Sequence, residues 1–143
     1  VAAIARLLTP VAKKLFPDIP NGNPAVSDIA MNFTANAFGL SNAATPIGIE
    51  AMKKLQQLNK DKNSASNDMC TLLAMNTAGW QIVPTTVIAV LAASGSKNPT
   101  EIVFPTLIVT TIAFLSAIVG VKLLERIWPA QIPVNETEEN TDV

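Results

Sequence analysis

The sequence predicts an all-α, polytopic membrane protein with an N-terminal amphipathic interfacial helix, a re-entrant helical hairpin and two transmembrane helices, one of them broken. Of its 143 residues, 49% are hydrophobic and only 15% are charged, whereas soluble domains average about 25% charged residues. Two runs carry no charge, residues 69–94 and 102–121, and about 20 apolar residues suffice to cross a bilayer. We expect residues 1–128 to form one membrane domain and the acidic, polar residues 129–143 to form a disordered tail.

The first 16 residues have the periodicity of an amphipathic helix. Apolar side chains recur at helical spacing, and Arg6, Lys13 and Lys14 fall on the opposite side. Pro10 either kinks this helix or begins its second half. A basic amphipathic helix lying in the membrane interface is expected, although a surface helix of a soluble bundle has the same pattern. A turn-rich linker follows at residues 17–24.

Residues 27–54 predict a helical hairpin with a polar tip. Asp28, Asn32 and Asn36 recur every four residues, so on a helix they share one face. Thr45 suits the N-cap of a second helix and Pro46 its first position. Asp28 is either a cation or proton partner or, because it is near the start of the first helix, a stabiliser of that helix end. Gly39, Ser41 and Asn42, which break helices or are small and polar, lie between the two predicted helices. Gly48 follows just beyond Pro46.

The distribution of positive charge favours a hairpin that enters the membrane and returns. If it does so, nine of the ten Lys and Arg residues lie on one side and Lys97 alone lies on the other. A hairpin that crossed fully would divide them six against four. The positive-inside rule favours the uneven arrangement, with the nine residues on the cytoplasmic side. The alternative is a soluble helical pair whose carboxamides are satisfied within a core.

The first uncharged run is predicted to break near its middle. Gly79 and Pro84 lie close together, and Pro84 lacks an N–H and crowds the carbonyl of Trp80. The backbone groups freed by the break need partners at membrane depth, and the hairpin tip is the expected neighbour. The second hairpin helix would also direct the positive end of its dipole, at residues 46–48, toward this region.

Two broken segments facing each other are typical of solute sites in secondary transporters. Polar contacts to a small polar solute are expected from Asn32, Asn36, Asn42, Thr45 and Asn76. The backbone of the site is expected to be shaped by Gly39, Pro46, Gly48, Gly79 and Pro84. The alternative for each asparagine is a hydrogen bond between helices, worth about 1 kcal/mol.

Composition argues against several other functions. The chain has no histidine, no tyrosine and a single cysteine, Cys70, so the usual general bases and metal ligands are missing. Neither enzymatic activity, a metal site nor a cofactor is expected, although a coupling cation such as sodium is compatible with the site. A net charge of −1 offers no basic surface for nucleic acid.

Four segments resemble the spore maturation protein A family, whose members are membrane proteins with a nucleoside-recognition, or Gate, domain. They are LFPDIPNGNPA, NFTANAFGLSNAATPIGIEAMKKLQQLN, ASNDMCTLLAMNT and PTTVIAV. The resemblance covers roughly residues 5–125, and family members usually have further hydrophobic helices upstream. The Gate domain is similar to parts of concentrative nucleoside transporters and ferrous iron permeases. By that resemblance Gly39, Ser41, Asn42, Thr45 and residues 76–79, Thr77 included, map onto site-forming regions.

The resemblance also implies a location and a role. It implies a multi-pass protein of the bacterial inner membrane, linked in spore formers to dehydration of the spore core. The expected partner is a sister Gate-domain protein, similar to spore maturation protein B, or a second copy of the chain. The leading hypothesis is half of a transporter-like assembly that binds or moves a small polar solute. The alternative is a membrane scaffold that transports nothing.

Overall fold

The computed structural model describes residues 14–128, apart from the side chain of Ser41, and these residues are all helical or irregular. The helices are α1 (Pro24–Ala37), α2 (Ser41–Leu58), α3 (Asn67–Ala78), α4 (Thr85–Ala93) and α5 (Val103–Ile127), with a 3₁₀ turn at Pro99–Ile102. The predicted all-α class is therefore confirmed for this part of the chain. Most of the predicted N-terminal helix, and the predicted tail at residues 129–143, lie outside the described residues.

Helices α1 and α2 form an antiparallel hairpin joined by a very short turn. Asn23 caps α1, its side chain accepting a hydrogen bond from the Ala25 N–H at 2.9 Å. At the other end Gly39 has φ 67°. The Leu40 N–H donates to the Ala35 carbonyl and the Gly39 N–H donates to the Asn36 carbonyl, each at 2.9 Å. This is the Schellman arrangement, which ends a helix on a left-handed residue.

The predicted start of the second hairpin helix is wrong. Helix α2 begins at Ser41, and Pro46 lies inside it instead of at its first position after a Thr45 cap. The tight turn brings the Leu40 carbonyl within 2.9 Å of the N–H groups of Ala43 and Ala44, so the first helical turn closes before Pro46. The positive end of the helix dipole accordingly lies at residues 41–44, not at residues 46–48.

The hydrophobic core lies at the open end of the hairpin. It comprises side chains from α1, α2, α3 and the segment before α1: Phe16, Ile19, Ala25, Ile29, Ala51, Leu55, Leu72 and Met75. At the same end Asp28 and Lys54 form an ion pair at 2.5 Å. Asp28 therefore has the ammonium group of Lys54 as its partner, and it does not lie in the first turn of α1.

The first uncharged run is divided into two helices. Ser66 caps α3 by accepting a hydrogen bond from the Met69 N–H at 3.3 Å, and α3 ends at Gly79, which has φ 58°. Residues 79–84, here called the break, are not helical, and α4 begins after Pro84. The interruption lies where Gly79 and Pro84 predict it.

One helix among the described residues is long and apolar enough to cross a membrane. It extends over Pro99–Ile127, 29 residues including the 3₁₀ turn, and none of its most apolar window is buried within the structure. Within residues 14–128, α4 also buries no side chain. Both helices therefore present apolar surface that the other described residues do not cover.

Candidate functional site

The hairpin tip, residues 37–41, lies against the break. The N–H groups of Ile82 and Val83 donate to the Ala37 carbonyl at 2.7 and 3.3 Å, and the Thr85 hydroxyl donates to the Gly39 carbonyl at 2.9 Å. Backbone groups freed by one interruption are thus satisfied by the end of the other helix, as buried backbone groups require. The two irregular segments form a single junction.

Helix α5 holds the opposite side of the break. The Gln81 N–H donates to the Thr110 hydroxyl at 3.3 Å, and that hydroxyl also lies 3.3 Å from the Gln81 carbonyl. The indole N–H of Trp80 donates to the Thr111 hydroxyl at 2.9 Å. The break is therefore fixed between the tip and the middle of α5.

Gly39 permits the closest approach at this junction. A Cβ atom at this position would lie 2.6 Å from the Val83 carbonyl oxygen and 2.9 Å from the Thr85 nitrogen. Both neighbours are backbone atoms, which cannot move away without breaking the contacts between tip and break. A glycine is required here by the left-handed φ and by the space.

Three asparagines form a cluster beside the junction and join α1, α2 and α3. The Asn36 amide donates to the Asn76 side-chain oxygen at 2.8 Å and lies 3.5 Å from the Asn32 oxygen. The Asn32 amide donates to the Ala44 carbonyl at 2.8 Å. Gly48 leaves room for this cluster, because a Cβ there would lie 2.8 Å from the Asn32 amide nitrogen.

The carboxamide cluster has capacity for a further ligand. Asn32 is only 3% exposed, whereas Asn36 and Asn76 are half-buried. Among the described residues, the amino group of Asn76 donates no hydrogen bond. A carboxamide carries two N–H donors and an acceptor oxygen, so this edge of the cluster can bind a neutral polar group.

The structure gathers some of the predicted site residues and separates others. Asn32, Asn36 and Asn76 come together, with Gly39 and Gly48 in close contact with their surroundings. Asn42, Thr45 and Thr77 have exposed side chains, Pro46 lies within α2, and the side chain of Ser41 is not described. Gly79 ends α3, and the buried Pro84 precedes α4.

Sequence reasoning missed the threonines and aromatic residues that complete the junction. Phe33 stacks on Trp80 with ring centroids 5.3 Å apart and planes 9° from parallel, and Phe114 of α5 contacts both rings. The adjacent pair Thr110 and Thr111 within the uncharged run 102–121 was the available signal. Hydroxyls inside a membrane helix need a partner, and the break supplies it.

The described residues contain no group of three or more His, Cys, Asp and Glu side chains able to hold a metal ion. The polar chemistry of the junction is therefore that of carboxamides, hydroxyls and main-chain groups.

The fold and site define a class of helical protein in which a polar hairpin tip docks on a broken helix, beside a helix able to cross a membrane. The chain is 49% identical over 115 residues to spore maturation protein A of Bacillus subtilis (strain 168), a match that covers 80% of this chain and 59% of that protein. It belongs to the spore maturation protein A family. The chain spans about three fifths of the length of this relative. No family model and no solved structure matches it.

Proposed function

We propose that this chain is part of a multi-pass membrane protein of spore maturation, and that it binds or moves a small polar solute at the junction of tip and break. The observation that carries the proposal is the direct docking of two helix interruptions beside three asparagines. Irregular backbone at membrane depth is tolerated where it lines a cavity or is enclosed by protein. Transporters use such paired interruptions to bind solutes and coupling ions.

Helix lengths support a hairpin that enters the bilayer without crossing it. Helix α1 has 14 residues, or about 21 Å at 1.5 Å per residue, which is shorter than the bilayer core of about 30 Å. The second half of α2 carries Glu50, Lys53 and Lys54 and so returns to water. The Asp28–Lys54 ion pair closes the open end of the hairpin on that side.

The contacts of the break support a tip near the middle of the bilayer. Thr110 contacts the break. It is eight residues after Ile102, where the second uncharged run begins, and twelve residues before Lys122, which follows the end of that run. These separations correspond to about 12 and 18 Å along the helix axis. With α5 spanning the membrane, the junction lies between its two ends, where a transporter places its solute.

The uncharged parts of α3 and α4, residues 69–78 and 85–93, together supply the second span. They have 10 and 9 residues, about 15 and 14 Å, so neither crosses alone, whereas the pair joined by the break does. A partner subunit, either a sister Gate-domain protein similar to spore maturation protein B or a second copy, belongs to the proposed assembly in the inner membrane. Exposed apolar surface on α4 and α5 supports contacts with lipid and with that partner.

The proposed site predicts a large loss of bound solute with only a small loss of stability. The full-length protein, purified with its native partners, is expected to retain a small polar molecule that mass spectrometry identifies. Asn76→Ala removes the half-buried donor and should lower the retained amount at least tenfold, about 1.4 kcal/mol. It also removes the oxygen that accepts the Asn36 hydrogen bond, which costs only about 1 kcal/mol of stability. Asn63→Ala, in an exposed loop, is the matched control. Undiminished retention in Asn76→Ala would contradict the site.

A scaffold without transport is the second candidate, favoured by the Asn36–Asn76 hydrogen bond between α1 and α3. In that case the asparagines stabilise helix packing, by about 1 kcal/mol per bond. Asn36→Ala and Asn76→Ala would then lower the unfolding temperature together, and a double-mutant cycle would show coupling. No change in bound solute would accompany that loss.

Membrane topology gives an independent prediction. After Cys70→Ser, single cysteines at Gly22 and Lys60, both exposed, should react with a membrane-impermeant thiol reagent from the same side. A cysteine at Lys97, in the loop between α4 and α5, should react from the opposite side. Labelling of positions 22 and 60 from opposite sides would show that the hairpin crosses the membrane.

A further inference from the structure

A cluster of ionisable side chains lies at the end of α3 and α5 remote from the break. The Thr71 hydroxyl donates to Glu125 at 2.7 Å. Lys122 lies 3.1 Å from the Thr71 oxygen and 2.9 Å from the nearer Glu125 oxygen. Lys122 and Glu125 therefore neutralise each other, and Thr71 bridges them.

Asp68 lies against this cluster, and among the described residues it forms no salt bridge. Its side chain is 3% exposed, and its Oδ1 atom is buried without a hydrogen-bond partner among the described residues. The neighbouring cation, Lys122, is already paired with Glu125, while Asp18 of the segment before α1 adds a second negative charge nearby. A buried, unpaired carboxylate is costly, and protonation removes that cost.

We propose that Asp68 is a proton-binding site, whose occupancy sets how tightly the segment around Asp18 and the end of α5 hold the start of α3. When Asp68 is protonated, no net charge is buried and its O–H can donate to a neighbouring acceptor. When it is ionised, it repels Asp18 and Glu125. The ligand of the site is the proton itself. Its binding changes the contacts between helix ends that are distant from the solute junction.

Among the described residues, the groups that face Asp68 act on its pKa in opposite directions, and the net effect is a rise. Burial first, and then the negative charges of Asp18 and Glu125, raise the pKa of Asp68 to about 6, although Lys122 and the Asp18 N–H act to lower it. Asp68 precedes the uncharged run 69–94, so it lies outside that membrane segment. Because its folded-state pKa exceeds the ordinary 3.8, the stabilising contribution is complete below that ordinary value and is lost as pH rises through about 6.

Infrared titration of the purified full-length protein tests the site directly. A protonated carboxylic acid band should disappear with a midpoint near pH 6 and should be absent from Asp68→Asn. A parent protein without such a band above about pH 5, where ordinary carboxyls are ionised, would overturn the proposal. So would a band that persists in Asp68→Asn.

Charge variants give opposite shifts, which separates proton binding from general loss of structure. Asp18 is exposed, so the Asp18→Asn variant should fold normally. It is expected to lower the midpoint of the infrared titration by a few tenths of a pH unit, and Glu125→Gln is expected to lower that midpoint as well. Lys122→Met is expected to raise it. Glu101→Gln is the matched control and should leave the midpoint unchanged, because Glu101 is an exposed acid in the 3₁₀ turn before α5, at the opposite end of that helix. An unshifted midpoint in Asp18→Asn would contradict the assignment.

Discussion

Replacement of Gly39 by alanine is expected to separate the hairpin tip from the break and to reduce the stability of the fold more than any other single glycine substitution considered for this chain. The left-handed φ of 67° costs a residue with a Cβ about 1–2 kcal/mol. The new Cβ would also lie 2.6 Å from the Val83 carbonyl oxygen, and relieving such overpacking typically costs about 1–3 kcal/mol. We expect a total loss of about 2–5 kcal/mol, measured as reversible unfolding in detergent, together with loss of bound solute.

Gly22→Ala is the control that isolates the close approach. Gly22 also has a positive φ, 82°, but a Cβ there would meet nothing within 4 Å in the part of the chain that the structure describes. Its replacement therefore adds backbone strain alone and should cost about 1–2 kcal/mol. Equal losses in the two variants would mean that the contact between tip and break contributes nothing to stability.

The hairpin and the broken run were predictable because their signals are local. Gly39 and the pair Gly79 and Pro84 interrupt helices through their own backbone chemistry, whatever surrounds them. The start of α2 was not predictable in the same way. Capping preferences placed it at Pro46, but the closure of the turn by the Leu40 carbonyl, which depends on the whole tip geometry, moved it to Ser41.

The residues of the candidate site were predictable only where their spacing along one helix places them on the same face. Asn32 and Asn36 share a face of α1 by their spacing, and the break nearby brings Asn76 to them. Asn42 follows the turn of the hairpin, and Thr77 precedes the break. Sequence spacing does not fix how a helix is rotated about its axis next to such an interruption. Their exposed side chains reflect that rotation. The buried charge of Asp68 depends on contacts among three distant segments, so spacing gave no sign of it.

Gly48→Ala is expected to disrupt the carboxamide cluster, although alanine is the better helix former. The added Cβ would lie 2.8 Å from the Asn32 amide nitrogen, and Asn32 is 3% exposed, so the amide has no free space into which it can rotate. Displacing it breaks the hydrogen bond to the Ala44 carbonyl and leaves buried polar groups unpaired, which costs about 1–3 kcal/mol. The gain in helix propensity, about 1 kcal/mol, offsets only part of this cost.

Gly120→Ala supplies the matched comparison for that substitution. Gly120 also lies inside a helix, α5, but a Cβ there would meet none of the other described residues within 4 Å, apart from its own helix backbone and chain neighbours. Its replacement should therefore leave the unfolding temperature unchanged or raise it slightly, while Gly48→Ala lowers it and reduces the retained solute. Because both substitutions add the same methyl group to a helical glycine, the difference between them measures the space that the Asn32 side chain requires. If Gly48→Ala behaved like Gly120→Ala, the three asparagines would tolerate rearrangement, and a fixed carboxamide site at this junction would be excluded.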